Sequence, residues 1–181
     1  MRVFIGIDFD AAVKDYIQVV QSYLKSTAIG GNFTKYDNVH LTLRYIGLVE
    51  LTQIDRISEL LDDIAFKFQP FPITIGDLGS FGKGEKKLMY VSVKRGKETL
   101  QQIDASLRPA LIESELPFDE KKLVPHITVA REVRFNNRIN PAHPMPYYDK
   151  EIIVSTLTLF ASIRRDGVLR YEPLHRARLR T

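Results

Sequence analysis

His-Leu-Thr-Leu at 40–43 returns as His-Ile-Thr-Val at 126–129, one copy in each half of a 181-residue chain. Each copy lies in an apolar, β-branched run of the kind that forms strands. Strand side chains alternate between two faces, so His40 shares a face with Thr42 and His126 shares one with Thr128. The surroundings repeat too: Phe4 precedes His40 by 36 positions, and Tyr90 precedes His126 by 36. In both intervals a strand pattern is followed by a helical pattern and then by the motif strand. Such a chain is held to one strand–helix–strand unit used twice. The two matching faces can then form one two-fold site.

The remaining elements fit this plan. In the first half a strand is predicted at 3–8. A helix follows, with Val13, Tyr16, Ile17, Val20 and Leu24 spaced three and four apart. Gly30-Gly31-Asn32 breaks that pattern, and the motif strand at 39–46 ends at Gly47. A second helix is predicted at 52–68, capped by Thr52, with a strand at 73–75 beyond Pro70-Phe71-Pro72. In the second half a strand at 88–93 leads to a helix through Leu100, Ile103, Leu107 and Leu111. Pro109 predicts a kink or an early end there, Pro117 closes the helix, and the motif strand occupies 124–130. Two strands at 152–160 and 170–179 close the chain through the turn Arg165-Asp166-Gly167. The segment 83–87 reads as a charged turn, and 140–146, with three prolines and His143, as an ordered loop. With no flexible linker, one domain is expected over 1–181, built from units at roughly 1–80 and 88–181.

Composition narrows the function. Hydrophobic residues at 44% and charged residues at 27% suit a soluble globular protein. No apolar run nears the ~20 residues needed to span a bilayer, so no membrane partner is expected. The first residues are too short and too soon charged for a signal peptide. The chain has no cysteine, which excludes a disulfide, a thiolate nucleophile and a Cys-ligated zinc, and favours the cytoplasm. A net charge of +4 suits an anionic partner such as a nucleotide or RNA, and equally suits plain solubility. The alternating basic segment at 174–180 is either part of such a surface or an edge strand protected by charge.

Two imidazoles on facing strands suggest acid–base chemistry. Their ordinary pKa near 6.5 lets one take a proton while the other gives one. In-line displacement at phosphorus needs such a pair on opposite sides of the phosphoryl group. His40 and His126 are the candidate acid and base, in either order. Thr42 and Thr128 can donate hydrogen bonds to the non-bridging oxygens. Arg131 offers a forked phosphate donor. Alternation puts it on the face opposite His126, so it reaches the site only if the strand bulges or ends near Ala130. Arg44 has the parity of His40 and Thr42 and is its rival. Metal binding is the competing reading of the histidines, with Asp8 or Asp10 as a further ligand. It lacks a third ligand at obvious spacing, so no metal or other cofactor is expected. His143 and His175 lack a threonine partner and read as loop and edge-strand residues. Phe9 and Phe81 are candidate stacking surfaces for a base.

These residues resemble a known family. Paired His-x-Thr-x motifs, one per half of a chain this long, are similar to those of the 2H phosphoesterase superfamily. The match is closest to its LigT-like branch of RNA 2′,3′-cyclic phosphodiesterases, once called 2′-5′ RNA ligases. The blocks carrying the likeness are residues 1–8, Asn38 to Gly47 around the first motif, and Val124 to Arg131 around the second. Arg44-Tyr45 stands where a Lys-Phe pair is commoner. The resemblance implies an α+β fold of two pseudo-symmetric lobes, each an antiparallel sheet flanked by helices, with a central cleft. It implies a monomeric hydrolase that opens RNA 2′,3′-cyclic phosphate ends to 2′-phosphates without metal. His40 and His126 would then be catalytic, and Thr42, Thr128 and Arg131 would bind phosphate. Action on 2′-5′ linkages or small cyclic nucleotides is an alternative, as is an RNA-end binding module without turnover.

Overall fold

In the first half the chain forms β1 (Arg2–Asp8), α1 (Ala11–Lys25), β2 (Ala28–Phe33), a 3₁₀ turn (Tyr36–Asn38), β3 (His40–Leu48) and α2 (Gln53–Ala65). There follow β4 (Phe71–Ile73), β5 (Ile75–Phe81), β6 (Lys87–Val93), α3 (Lys97–Glu113) and β7 (His126–Phe135). The chain ends with β8 (Ile152–Val154), β9 (Thr156–Arg165) and β10 (Val168–Arg178). The computed structural model describes residues 1–136 and 144–181. Most of the loop expected at 140–146, His143 included, lies outside the described residues.

Among the described residues, seven strands form an antiparallel path in the order β10-β9-β1-β3-β7-β6-β5, and β2 joins on β7 as the eighth. The motif strands β3 and β7 are neighbours at its centre. They share one registered pair, Leu41 with Ile127. Beyond that point β2 takes over the edge of β7, from Phe33 opposite Ala130 to Ala28 opposite Phe135. The two halves of the sheet are thus joined at a narrow waist. The helices cover one face. Val13, Ile17, Leu61, Leu100, Ile103 and Leu107 pack in one core with Leu41 and Ile127, burial that supplies most of the stabilisation. The other face carries the motif histidines and threonines. No helix among the described residues is long and apolar enough to cross a membrane.

Three local expectations change. Gly30-Gly31 does not merely end a helix; it lies in a strand, because the exposed edge of β7 offers its backbone partners. Thr52 stands at the start of α2 but makes no side-chain cap bond. The Gln53 side chain instead accepts from the Glu50 N–H at 2.8 Å, and the helix stops at Ala65 rather than 68. Pro109 neither ends nor breaks α3, which continues to Glu113. Leu107 and Leu111, on either side of the proline, are fully buried, and that packing outweighs the hydrogen bond that proline cannot make.

Candidate active site

A matched pair of β-bulges sets what faces the cleft. Along β1 and β3, Ile5 pairs with Arg44 but Gly6 pairs with Thr42, so Leu43 is the extra residue. Along β6 and β7, Met89 pairs with Ala130 but Tyr90 with Thr128, so Val129 is extra. An inserted residue reverses the alternation beyond it. The consequences for the two candidate arginines are opposite. Arg44 turns to the helix side, where it is 3% exposed. Its guanidinium forms a forked pair with the Asp104 carboxylate, Nε to Oδ1 at 2.7 Å. It also donates to the Lys121 carbonyl at 2.8 Å. The expectation that Arg44 stands beside His40 is therefore wrong. Arg131 turns the other way, onto the face of His126 and Thr128, and its charge depresses the pKa of both histidines.

Each imidazole is held through the same atom. His40 Nδ1 donates to the Asn38 carbonyl at 2.7 Å, and His126 Nδ1 donates to the Val124 carbonyl at 2.6 Å. A carbonyl only accepts, so Nδ1 carries the proton in both neutral rings, leaving Nε2 as a free base. The Thr42 hydroxyl meets His40 Nε2 at 2.9 Å. Aromatic rings wall the histidines. Phe4 and Tyr171 each lie 4.9 Å from His40, and Tyr90 and Phe81 lie 5.3 and 5.2 Å from His126. Phe4 and Tyr90, related by the repeat, thus play the same part.

Across the waist, the Leu41–Ile127 pair, continued one residue each way, sets His40 opposite Thr128 and Thr42 opposite His126. The four side chains share the face away from the core. Burial pushes His40 down to about 4, with Arg131 and His126 adding to the effect against the Asn38 hydrogen bond and Asp8. Burial lowers His126 as well. Both rings are therefore neutral at neutral pH.

Other candidates fall elsewhere. Asp8 is registered beside His40, held by Lys14 at 3.6 Å and Arg176 at 3.5 Å. Asp10 is committed to capping α1, accepting from the Val13 N–H at 3.1 Å. Among the described residues no three His, Asp or Glu side chains converge as a metal cluster. His175 pairs with Asp62 at 2.8 Å on the outer strand. Phe9 is 6% exposed and offers no stacking face, unlike Phe81, which is 37% exposed.

A model of the 2′-5′ RNA ligase superfamily matches residues 15–165, a span that holds both motifs. The chain belongs to that superfamily. Among its members, the RNA 2′,3′-cyclic phosphodiesterase of Methanothermobacter thermautotrophicus is 28% identical over 139 residues, covering 76% of this chain and 74% of the relative. That of Escherichia coli K12 is 27% identical over 179 residues, covering 97% and 94%. In structure, a Thermus thermophilus protein superposes with a TM-score of 0.82 at 22% identity, over 99% of this chain and 98% of that one. The apo form of E. coli LigT gives 0.78 at 25% identity, over the same shares. The architecture is thus the α+β fold of this superfamily.

Within that architecture, two residues escape a reading of the motifs alone. Asn38 is 7% exposed; it donates to the Leu169 carbonyl at 2.9 Å and accepts from the Tyr171 N–H at 3.0 Å. It thereby ties the carbonyl that orients His40 to β10. Tyr171 then meets His40 in a T-shaped contact. The cross-chain partners lie 131 and 133 positions away, so no local pattern marks them.

Proposed function

We propose that this chain opens RNA 2′,3′-cyclic phosphate ends to 2′-phosphates by paired-histidine acid–base catalysis without a metal. The observation that carries the reading is the shared tautomer. Both Nδ1 atoms are held on backbone carbonyls, so both Nε2 atoms are the basic ones; that of His40 accepts from the Thr42 hydroxyl, which turns to the phosphate when substrate takes its place. One neutral Nε2 takes a proton from the attacking water. The other, protonated, gives its proton to the departing 3′ oxygen, so the P–O3′ bond breaks as the new P–O bond forms. Thr42, Thr128 and Arg131 hold the non-bridging oxygens, where charge develops. Bound phosphate, being anionic, raises the depressed histidine pKa values and supplies the charged form that the acid needs. Each unit of the repeat contributes one histidine, while β9 of the second unit pairs with β1 of the first and β2 and β5 of the first pair with β7 and β6 of the second, which supports one bilobal domain over 1–181 whose two units, roughly 1–80 and 88–181, exchange strands between its lobes. The curated relatives carry the name RNA 2′,3′-cyclic phosphodiesterase, which supports the substrate class. The cysteine-free composition supports a cytoplasmic enzyme, and gel filtration at the mass of one chain checks the expected monomer.

The test is an oligoribonucleotide ending in a 2′,3′-cyclic phosphate, incubated with the protein in chelator. A 2′-phosphate product is expected. His40→Ala and His126→Ala are each expected to lower kcat by about 10²–10⁴ with the melting transition retained. No turnover of that oligonucleotide, alongside robust turnover of 2′-5′ linkages or a small cyclic nucleotide, removes RNA ends as substrate. RNA binding that survives loss of both histidines, with no turnover by the unaltered chain, leaves a binding module.

A further inference from the structure

The two histidines share a tautomer but not their surroundings. On the His40 side, Phe4 and Phe160 stack with centroids 5.0 Å apart and are 4% and 3% exposed. These rings are packing, with no face left over for a ligand. On the His126 side, Phe81 stacks on Tyr90 at 4.3 Å and 27°, yet remains 37% exposed. It meets His126 in a T-shaped contact, centroids 5.2 Å apart at 81°. Phe81 is therefore stacked on Tyr90 yet part-exposed, a few ångströms from the His126 imidazole. The strand is shaped for this stack. Gly79 pairs with Tyr90 across β5 and β6, and a Cβ at Gly79 would stand 2.6 Å from the Tyr90 ring. Only a residue without a side chain lets that ring lie over the strand and support Phe81 from behind.

A part-exposed aromatic ring beside a phosphate site fits a nucleobase. Every base has a π-face, and stacking on a side chain is worth about tenfold or more in affinity per base. We propose that Phe81, backed by Tyr90, is the platform on which the terminal nucleobase of the substrate stacks, so that the nucleoside lies on the His126 side of the cleft. This rests on the cyclic phosphodiesterase reading and adds the position of the base. Stacking is sequence-tolerant, and it favours purines over pyrimidines only by stacking area. The competing seat is the cavity of about 160 Å³ lined by Tyr171, Asn38 and Arg131.

The chain contains no tryptophan, so an oligoribonucleotide ending in 2-aminopurine 2′-phosphate can be followed by its own fluorescence. Binding to the unaltered chain is expected to quench it. Phe81→Leu is expected to abolish the quench, and Phe81→Trp to keep it. In kinetics, the ratio of kcat/KM for adenosine 2′,3′-cyclic phosphate to that for the abasic ribose 2′,3′-cyclic phosphate is expected to fall about tenfold in Phe81→Ala. An unchanged ratio, with both rates falling together, makes Phe81 a mere support for His126 and overturns the proposal. So does a quench that survives Phe81→Leu but is lost in Tyr171→Leu. Turnover of neither substrate by the unaltered chain is a failure of the catalytic reading instead, and the quench still decides the platform.

Discussion

His40 and His126 can serve as proposed only if each keeps an unprotonated Nε2, and the structure secures this by giving Nδ1 a carbonyl two residues back in both cases. The same burial that positions His40 holds it down to about 4, and this has a sign in stability. The unfolded chain takes up a proton near 6.5 while the folded one resists until about 4. Stability is therefore full above pH 6.5 and falls as pH drops through that window, by up to about 3 kcal/mol. Thermal melts between pH 7 and pH 4.5 should show this loss, and His40→Gln should flatten it. A bound phosphate anion opposes burial, so the pH profile of kcat/KM, which reports the free enzyme, should peak at lower pH than that of kcat. Coincident profiles would mean that the phosphate does not sit against the imidazoles. The histidines and threonines were legible because period-two alternation assigns them a face. Arg44 and Arg131 were not, because a single inserted residue upstream of each reverses that assignment.

The bulges are features of strand pairs rather than of residues, which is why neither motif strand announces its own. Gly6 marks one of them. A Cβ there would clash with the Leu41 carbonyl oxygen, and the next nearest atoms are backbone of Leu41 and Thr42 as well, so no flexible side chain can give way. Gly6→Ala should cost about 1–3 kcal/mol, read as a lower denaturation midpoint. It should also lower kcat, since Leu41 carries His40 and Thr42 on either side. A Gly6→Ala variant as stable as the parent would show that the strands can part without cost. Elements with strong local periodicity, such as α1 and the two motif strands, were legible from the sequence. Local signals misled at β2 and α3. Gly-Gly is a poor strand and Pro a poor helix interior by intrinsic preference, but β7 supplies an edge to the first and the core holds the second.

At the scale of the whole molecule, the cleft needs its two halves fixed to each other. Besides the narrow waist between β3 and β7, the buried Arg44–Asp104 pair fastens β3 of the first unit to α3 of the second. Removing one partner strands a charge in the interior. Asp104→Ala should therefore destabilise by about 3–5 kcal/mol, whereas Arg44→Met with Asp104→Leu should recover much of that. Chemical denaturation of the parent and both variants checks this. If Asp104→Ala melts with the parent, the pair does not clamp the units. The sequence by itself determined the repeat, the motif strands, and which imidazoles and hydroxyls share a face. Periodicity and spacing are properties of neighbouring residues, and the chain carries them whatever its fold. Only the tertiary structure decided that Arg44 is a clamp and Arg131 turns to the face of His126, that Asn38 anchors His40, and that Phe81 stays part-exposed beside His126. Those outcomes depend on strand register, and register is set by contacts between residues far apart in the chain.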